Sequence, residues 1–356
     1  MSGGQKFIWS AADPAELNTP VLVKFTAAPS TLSWEQNANK VYIRLMVSKW
    51  DARISSSTIN DWYSITWSPE LMLFCSVSSN QGGGSNTLVM TSPDGITWTG
   101  HTSADESSAW TGVVWSPELS IFCAVAFGGS TRVMTSSNGE SWTSRTASSN
   151  ADWGAIEWSP ELGLFCAVSQ SDNIMTSPDG TTWTAQTSPG NGNTWRSIVW
   201  SPELGLFCAV SSSSTSRVMT SPDGITWTAQ TPSDDSNGWW GVTWSPKLSL
   251  FCAVSISGTN RVMTSPDGVT WTGRTEIVED NQWRDIEWSP SLGLFCAVSS
   301  NGLQRAMTSE DGITWTARRS HNNGWNGIVW SPELDIFCCV AVTGGSGSDK
   351  VMTSAI

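Results

Sequence analysis

The sequence predicts an all-β fold: a seven-bladed β-propeller of four-stranded antiparallel blades. Three observations carry that expectation. A Trp-Ser-Pro corner recurs seven times, at Trp67, Trp115, Trp158, Trp200, Trp244, Trp288 and Trp330, at intervals of 42 to 48 residues. Units of that length cannot bury their own apolar surface alone and must stack on one another. Within each unit the apolar residues alternate with a period of two, which marks strands. Finally, the central strand is apolar on both faces, so each sheet needs cover on both sides, and a ring of sheets supplies it.

The fourth unit, beginning at Trp195, shows each element in turn. Trp195 opens a first strand with Ile198 and Trp200 on one face. Ser201-Pro202 ends it, because proline cannot donate to a ladder. A second strand is expected over 204–211, with Leu204, Leu206, Cys208 and Val210 on one face and Gly205, Phe207 and Ala209 on the other. A Ser/Thr-rich loop precedes a third strand through Val218, Met219 and Thr220. The SPDG turn at 221–224 then leads into a fourth strand at 225–229.

Ring closure follows from counting. A fourth-strand Trp occurs at Trp98, Trp142, Trp183, Trp227, Trp271 and Trp315, and the next unit begins 10 to 12 residues later. The seventh unit stops at 352–354 with no fourth strand, while Trp50 lies 12 residues before Trp62 in the string KWDAR, similar to TWTAR at 314–318. Residues 49–53 are therefore expected to complete the seventh blade and leave no open sheet edge. Trp9, in FIWSA, fits the local pattern but would need a long insertion. Residues 1–44 stand outside the repeat, with strand-like runs at 6–9, 21–26 and 40–47 between Pro14, Pro20 and Pro29. They read as a short β extension, either packed on the ring or anchoring it to an assembly; the ring takes 45–356.

A net charge of −13 argues against a nucleic-acid backbone or an anionic membrane as the main partner. The longest apolar runs, such as 336–342, are too short to span a bilayer. No basic stretch followed by an apolar core opens the chain, so no signal peptide is visible. Seven of the eight cysteines occupy one repeat position directly after Phe: Cys75, Cys123, Cys166, Cys208, Cys252, Cys296 and Cys338. Equivalent positions in successive units lie beyond disulfide reach, so these and Cys339 read as buried thiols, compatible with assembly in a reducing cytoplasm. His101 and His321 are placed far apart in outer loops, and neither a histidine triad, a metal site nor a cofactor is expected.

The turn motif S-x-D-G-x-x-W stands as SPDGITW from Ser92 and Ser221, SPDGTTW from Ser177, SPDGVTW from Ser265 and SEDGITW from Ser309; the second unit departs with SSNGESW from Ser136. It resembles the Asp-box, or BNR repeat, of the sialidase-like propellers. The resemblance implies a structural part for Asp94, Asp179, Asp223, Asp267 and Asp311. The unit WSPELGLF followed by MTSPDGITW, over about 46–354, is similar to uncharacterised repeat proteins of marine phages and large algal viruses. That likeness implies a virion surface or tail-associated protein. Sialidases need an arginine cluster, a tyrosine–glutamate pair and an acid/base Asp, whereas only Tyr42 and Tyr63 occur here. Glu157 and Glu287, three blades apart, are the residues placed to form a carboxylate pair across the channel.

The SPEL and SPDG turns fall on one side of the ring, and the loops that vary fall on the other, where recognition is usually placed. Candidate ligand residues on that face are Trp240, Asp234, Asp235, Arg196, Arg284 and Arg319, with Glu279 and Asp280 in another of its loops. Arg196 and Arg284 directly follow first-strand Trp and are expected at the channel mouth, while Trp240 duplicates a packing Trp239 and is free to stack on a sugar. Arg132, Arg217, Arg261 and Arg305 recur at one position and read as a repeated surface feature. The expected function is a non-catalytic interaction propeller contacting a host glycan or a neighbouring subunit, with other virion subunits held through 1–44. A purely structural scaffold and a sialidase-like glycosidase are the alternatives.

Overall fold

In the computed structural model the described residues are 8–10, 32–37, 40–45, 49–79, 87–190, 192–214, 216–275, 281–342 and 349–355, with the backbone alone at 8–10, 32–37, 40–45 and 355. Each repeat forms one four-stranded antiparallel sheet, and there are seven such sheets. Blades 1 to 7 open with Trp62–Ser68, Ala109–Ser116, Trp153–Ser159, Trp195–Ser201, Trp239–Ser245, Trp283–Ser289 and Gly324–Ser331. Blade 4 continues through Leu206–Ser211 and Val218–Ser221 to a short outer strand, Thr228–Gln230. The second strand thus begins later than expected. Leu204 lies in the corner turn, 42% exposed, because the Gly205 N–H closes onto the Pro202 carbonyl there.

The seventh blade takes its outer strand from the other end of the chain. Lys49–Arg53 pairs antiparallel with Val351–Ala355, in the register Val351 with Arg53 and Ser354 with Trp50. Side chains repeat the match. In every blade the last outer-strand residue bonds a third-strand Thr hydroxyl: His101 to Thr91, Arg145 to Thr135, Gln186 to Thr176, Gln230 to Thr220, Arg274 to Thr264, Arg318 to Thr308 and Arg53 to Thr353. His101 is therefore an outer-strand residue rather than a loop residue. His321 Nε2 meets the Trp50 carbonyl at 3.0 Å and ties down the closing strand. Trp9 belongs elsewhere: Ile8–Ser10, Leu32–Asn37 and Lys40–Leu45 form a separate three-stranded sheet in which Trp9 opposes Val41. The run at 21–26 lies outside the described residues.

Between each pair of neighbouring blades sits one apolar cluster. Cys166, Val168 and Ile174 of blade 3, for instance, pack on Trp195, Ile198, Trp200, Phe207 and Met219 of blade 4. All eight cysteines are buried and free, and burial pushes the repeated thiols well up from their ordinary pKa. Within blade 4, Trp200 and Trp227 flank Phe207 at 4.6 and 6.2 Å, the first edge-on and the second tilted, favourable geometries for aromatic pairs.

Corners lock one blade to the next. The corner Trp Nε1 donates to a SPEL glutamate of the preceding blade at Trp67–Glu333, Trp115–Glu70, Trp158–Glu118, Trp200–Glu161 and Trp244–Glu203, all at 2.6 to 2.7 Å. Blades 5 and 6 carry Lys247 and Ser291 at the glutamate position, and the Nε1 groups of Trp288 and Trp330 have no partner among the described residues. Leucines turn in there instead: Leu248 packs on the Trp288 cluster, and Leu292 is 8% exposed against 37 to 42% for its counterparts Leu71, Leu119, Leu162 and Leu204.

The SxDG turns are self-contained hydrogen-bonded knots. Asp223 Oδ1 accepts from the N–H groups of Ile225 and Thr226, Ser221 Oγ accepts from Gly224, and Trp227 Nε1 donates to the Gly224 carbonyl. Gly224 has φ +72, where a side chain is strained. Asn138 makes the same pair of bonds, to Glu140 and Ser141, through its amide oxygen.

Candidate functional site: the channel mouth

A β-bulge builds the site. In blade 4 Trp195 pairs with Ser211 and Ser197 with Val210, so Arg196 is left unpaired. An extra residue of this kind bends the strand and re-aims its side chain. The same step skips Tyr63, Thr111, Gly154, Trp240, Arg284 and Asn326 in the other blades. The bulge also explains why Trp195 and Ile198, three residues apart on a period of two, enter one cluster. All seven bulged residues line one cavity of about 120 Å³ at the start of the first strands. The next residue inward is mostly small because the blades converge; a Cβ on Gly241 would lie 2.9 Å from the Asp285 Cα.

Three of the expected ligand residues meet here. The guanidinium carbons of Arg196 and Arg284 each lie 4.1 Å from the centroid of the Trp240 indole. Two cations cannot share one face at that distance, so they flank the ring from blades 4 and 6. Arg196 Nε donates to Ser212 Oγ at 2.9 Å and Arg284 Nε to Ser300 Oγ at 3.1 Å. Tyr63, which sequence reasoning passed over, lines the mouth beside Arg196. Burial lowers the pKa of both arginines, and the Arg196 charge lowers that of Arg284 further. Trp240 is thus not an open stacking platform: cation–π attraction covers its faces.

The remaining sequence candidates lie apart from the mouth. Asp234 shapes its own loop, accepting from the Ser236 N–H at 2.8 Å and the Ser236 hydroxyl at 2.6 Å, while its carbonyl accepts from Trp239 Nε1. Asp235 and Arg319 are exposed, and neither lines the mouth. Glu279 and Asp280 lie outside the described residues. The recurring arginines are clamps rather than a surface display. Arg132, Arg217 and Arg261 bind carbonyls at the start of the next blade, at Asn150, Asn237 and Asn281, while Arg305 holds its own loop at Gly302.

Deeper in the channel a cavity of about 390 Å³ opens toward the proline corners and is lined by Glu157, Asp285 and Glu287. Burial first, and then the Glu287 charge, pushes Glu157 up to about 8; burial and then the Asp285 charge push Glu287 up to about 8, and burial pushes Asp285 up to about 7. Glu287 Oε1 turns back to the Trp288 N–H at 3.1 Å. Asp285 bridges blades, accepting from Ile286 at 2.9 Å and from Ile328 of blade 7 at 3.0 Å.

No family model and no curated relative matches the sequence. Among solved structures, a streptogramin B lyase is similar at TM-score 0.72 and 11% identity, over 86% of this chain and 96% of that one. A catalytically inactive virginiamycin B lyase from Staphylococcus aureus, solved with quinupristin, superposes at TM-score 0.74 and 10% identity, over 86% and 99% of the two chains. YCF48 bound to D1 peptide does so at TM-score 0.63 and 14% identity, over 87% and 96%. At such identities the likeness is one of fold: the chain is a seven-bladed β-propeller of four-stranded antiparallel blades.

Proposed function

We propose that the protein is a non-catalytic recognition module whose contact surface is the channel mouth on the loop-bearing face. One observation carries this reading. The residues that build the ring recur almost unchanged, whereas the seven bulged positions hold Tyr, Thr, Gly, Arg, Trp, Arg and Asn and converge on one cavity. Similar folds include YCF48 with a bound D1 peptide and a component of the mitotic checkpoint complex, which favours a protein partner. A glycan reaching the same mouth is the other ligand in view. The SxDG turns support a place among Asp-box propellers, and the unit's likeness to viral repeat proteins supports a virion surface or tail role, with residues 1–44 joining the ring to other subunits. Eight unpaired thiols fit assembly in a reducing cytoplasm.

The lyase neighbours make catalysis the competing reading. Against a glycosidase stands the channel pair itself. Burial raises both Glu157 and Glu287, and Glu287 Oε1 is taken up by the Trp288 N–H, whereas a retaining or inverting enzyme needs one of its two carboxyls ionised and free to act. The test is a glycan and peptide array probed with wild type and Trp240→Ala, alongside hydrolysis assays on sialosides. We expect array ligands that the variant loses and no turnover. Unchanged binding by the variant, or sialoside hydrolysis, would sink the proposal.

A further inference from the structure

We infer that Arg196 and Arg284 form a seat for a tetrahedral dianionic oxyanion, a phosphate monoester carried by the ligand; this rests on the mouth being the recognition surface. Both guanidiniums are held in place before any ligand arrives. A serine hydroxyl fixes each Nε, and the Trp240 indole spaces the two planes. Each retains Nη donors, and both line the mouth cavity with Tyr63, whose hydroxyl adds a donor. Among the described residues neither guanidinium has a carboxylate partner. Asp285 shares the cavity wall, but its two oxygens are taken by the Ile286 and Ile328 N–H groups.

Charge counting selects the class of ligand. The two guanidinium charges face one cavity from either side of Trp240, and one carboxylate would cancel only one of them. A phosphate monoester brings a charge of about −1.5 to −2 and three acceptor oxygens, and planar guanidinium forks match it with paired hydrogen bonds. The cavity of about 120 Å³ suits a small head group rather than a whole sugar ring with many hydroxyls to satisfy.

The experiment is titration calorimetry of the full chain with inorganic phosphate, sulfate and acetate, then with a phosphoserine peptide and a sugar 6-phosphate. Phosphate and sulfate should bind, with acetate at least tenfold weaker. Arg196→Gln and Arg284→Gln should each weaken phosphate tenfold or more, whereas Arg319→Gln should change nothing. Melting curves check that the variants fold, and the Arg196→Lys/Arg284→Lys double variant, which keeps the charge, should recover part of the affinity. Tighter binding of the peptide or of the sugar phosphate identifies the carrier. Acetate binding as tightly as phosphate, or Gln variants binding phosphate normally, would overturn the inference. If Trp240→Ala abolishes array binding while phosphate is ignored by wild type, the oxyanion class falls and the mouth stands.

Discussion

Trp288 and Trp330 differ from the other five corner tryptophans by one missing acceptor each, and the difference can be measured. Lys247→Glu should restore a carboxylate to Trp288 Nε1 and raise stability by about 1 kcal/mol, the net worth of a typical hydrogen bond. Glu161→Ala should do the reverse at Trp200, costing roughly 1–3 kcal/mol by leaving a buried donor unpaired. Thermal melts read both; a lower melting point for Lys247→Glu would mean that the inward Leu248 controls that corner. The turn aspartates allow a second comparison. Asp223→Ala removes the acceptor of two N–H groups and should cost roughly 1–3 kcal/mol. Asp223→Asn should be nearly neutral in melts, since Asn138 already does this work. Neither turn variant should affect ligand contact at the mouth, because the turns lie at the other ends of the strands.

At the scale of the strand, the closing element and the bulge differ in how far they could be read from sequence. Trp50 was legible because the blade period runs past both ends of the repeat, and Arg53 meeting Thr353 completes the pattern. Deleting 1–44 should leave a soluble ring, whereas deleting 1–54 should expose the Val351–Ala355 edge and cause aggregation. Equal loss of solubility in both deletions would contradict the closure. Leu32–Asn37 was not legible, since LSWEQN lacks the apolar alternation that flags a strand. The bulge was hidden too. Sequence placed Arg196 and Arg284 at the channel mouth, but only the skipped pairing aims Trp240 between them and Tyr63 beside them. Asp234 misled because an acidic loop residue reads alike whether it binds a ligand or its own Ser236.

For the whole ring, pH sets two opposed demands. Glu157, Glu287 and Asp285 have folded pKa values of about 8, 8 and 7, above the ~3.9 and ~4.3 of unfolded Asp and Glu. The folded state therefore holds these protons more tightly. Their contribution is fully present below about pH 4 and is lost as pH rises through 7 to 8. The turn aspartates run the other way. The Thr226 N–H bond, opposed by burial and joined by the Ile225 N–H, holds Asp223 below the usual carboxylate range, so its contribution is present above about pH 4 and lost on further acidification. The melting temperature should thus peak in mild acid and decline from pH 6 to 9. Glu287→Gln should flatten that decline and melt above wild type at pH 9. A wild-type melting point that stays level from pH 6 to 9 would contradict the channel assignment.

Closure by strands some 300 residues apart also sets a schedule during synthesis. Domains are made from the N-terminus at roughly 5–20 residues per second. The strand Lys49–Arg53 must then wait roughly 15–60 s on the ribosome for its partner Val351–Ala355, longer than most hairpins need to form. Six blades can zip locally in that interval, each from contiguous chain. The last step is a single long-range docking event, and slowing release of the C-terminal segment should accumulate an open arc instead of an unfolded chain.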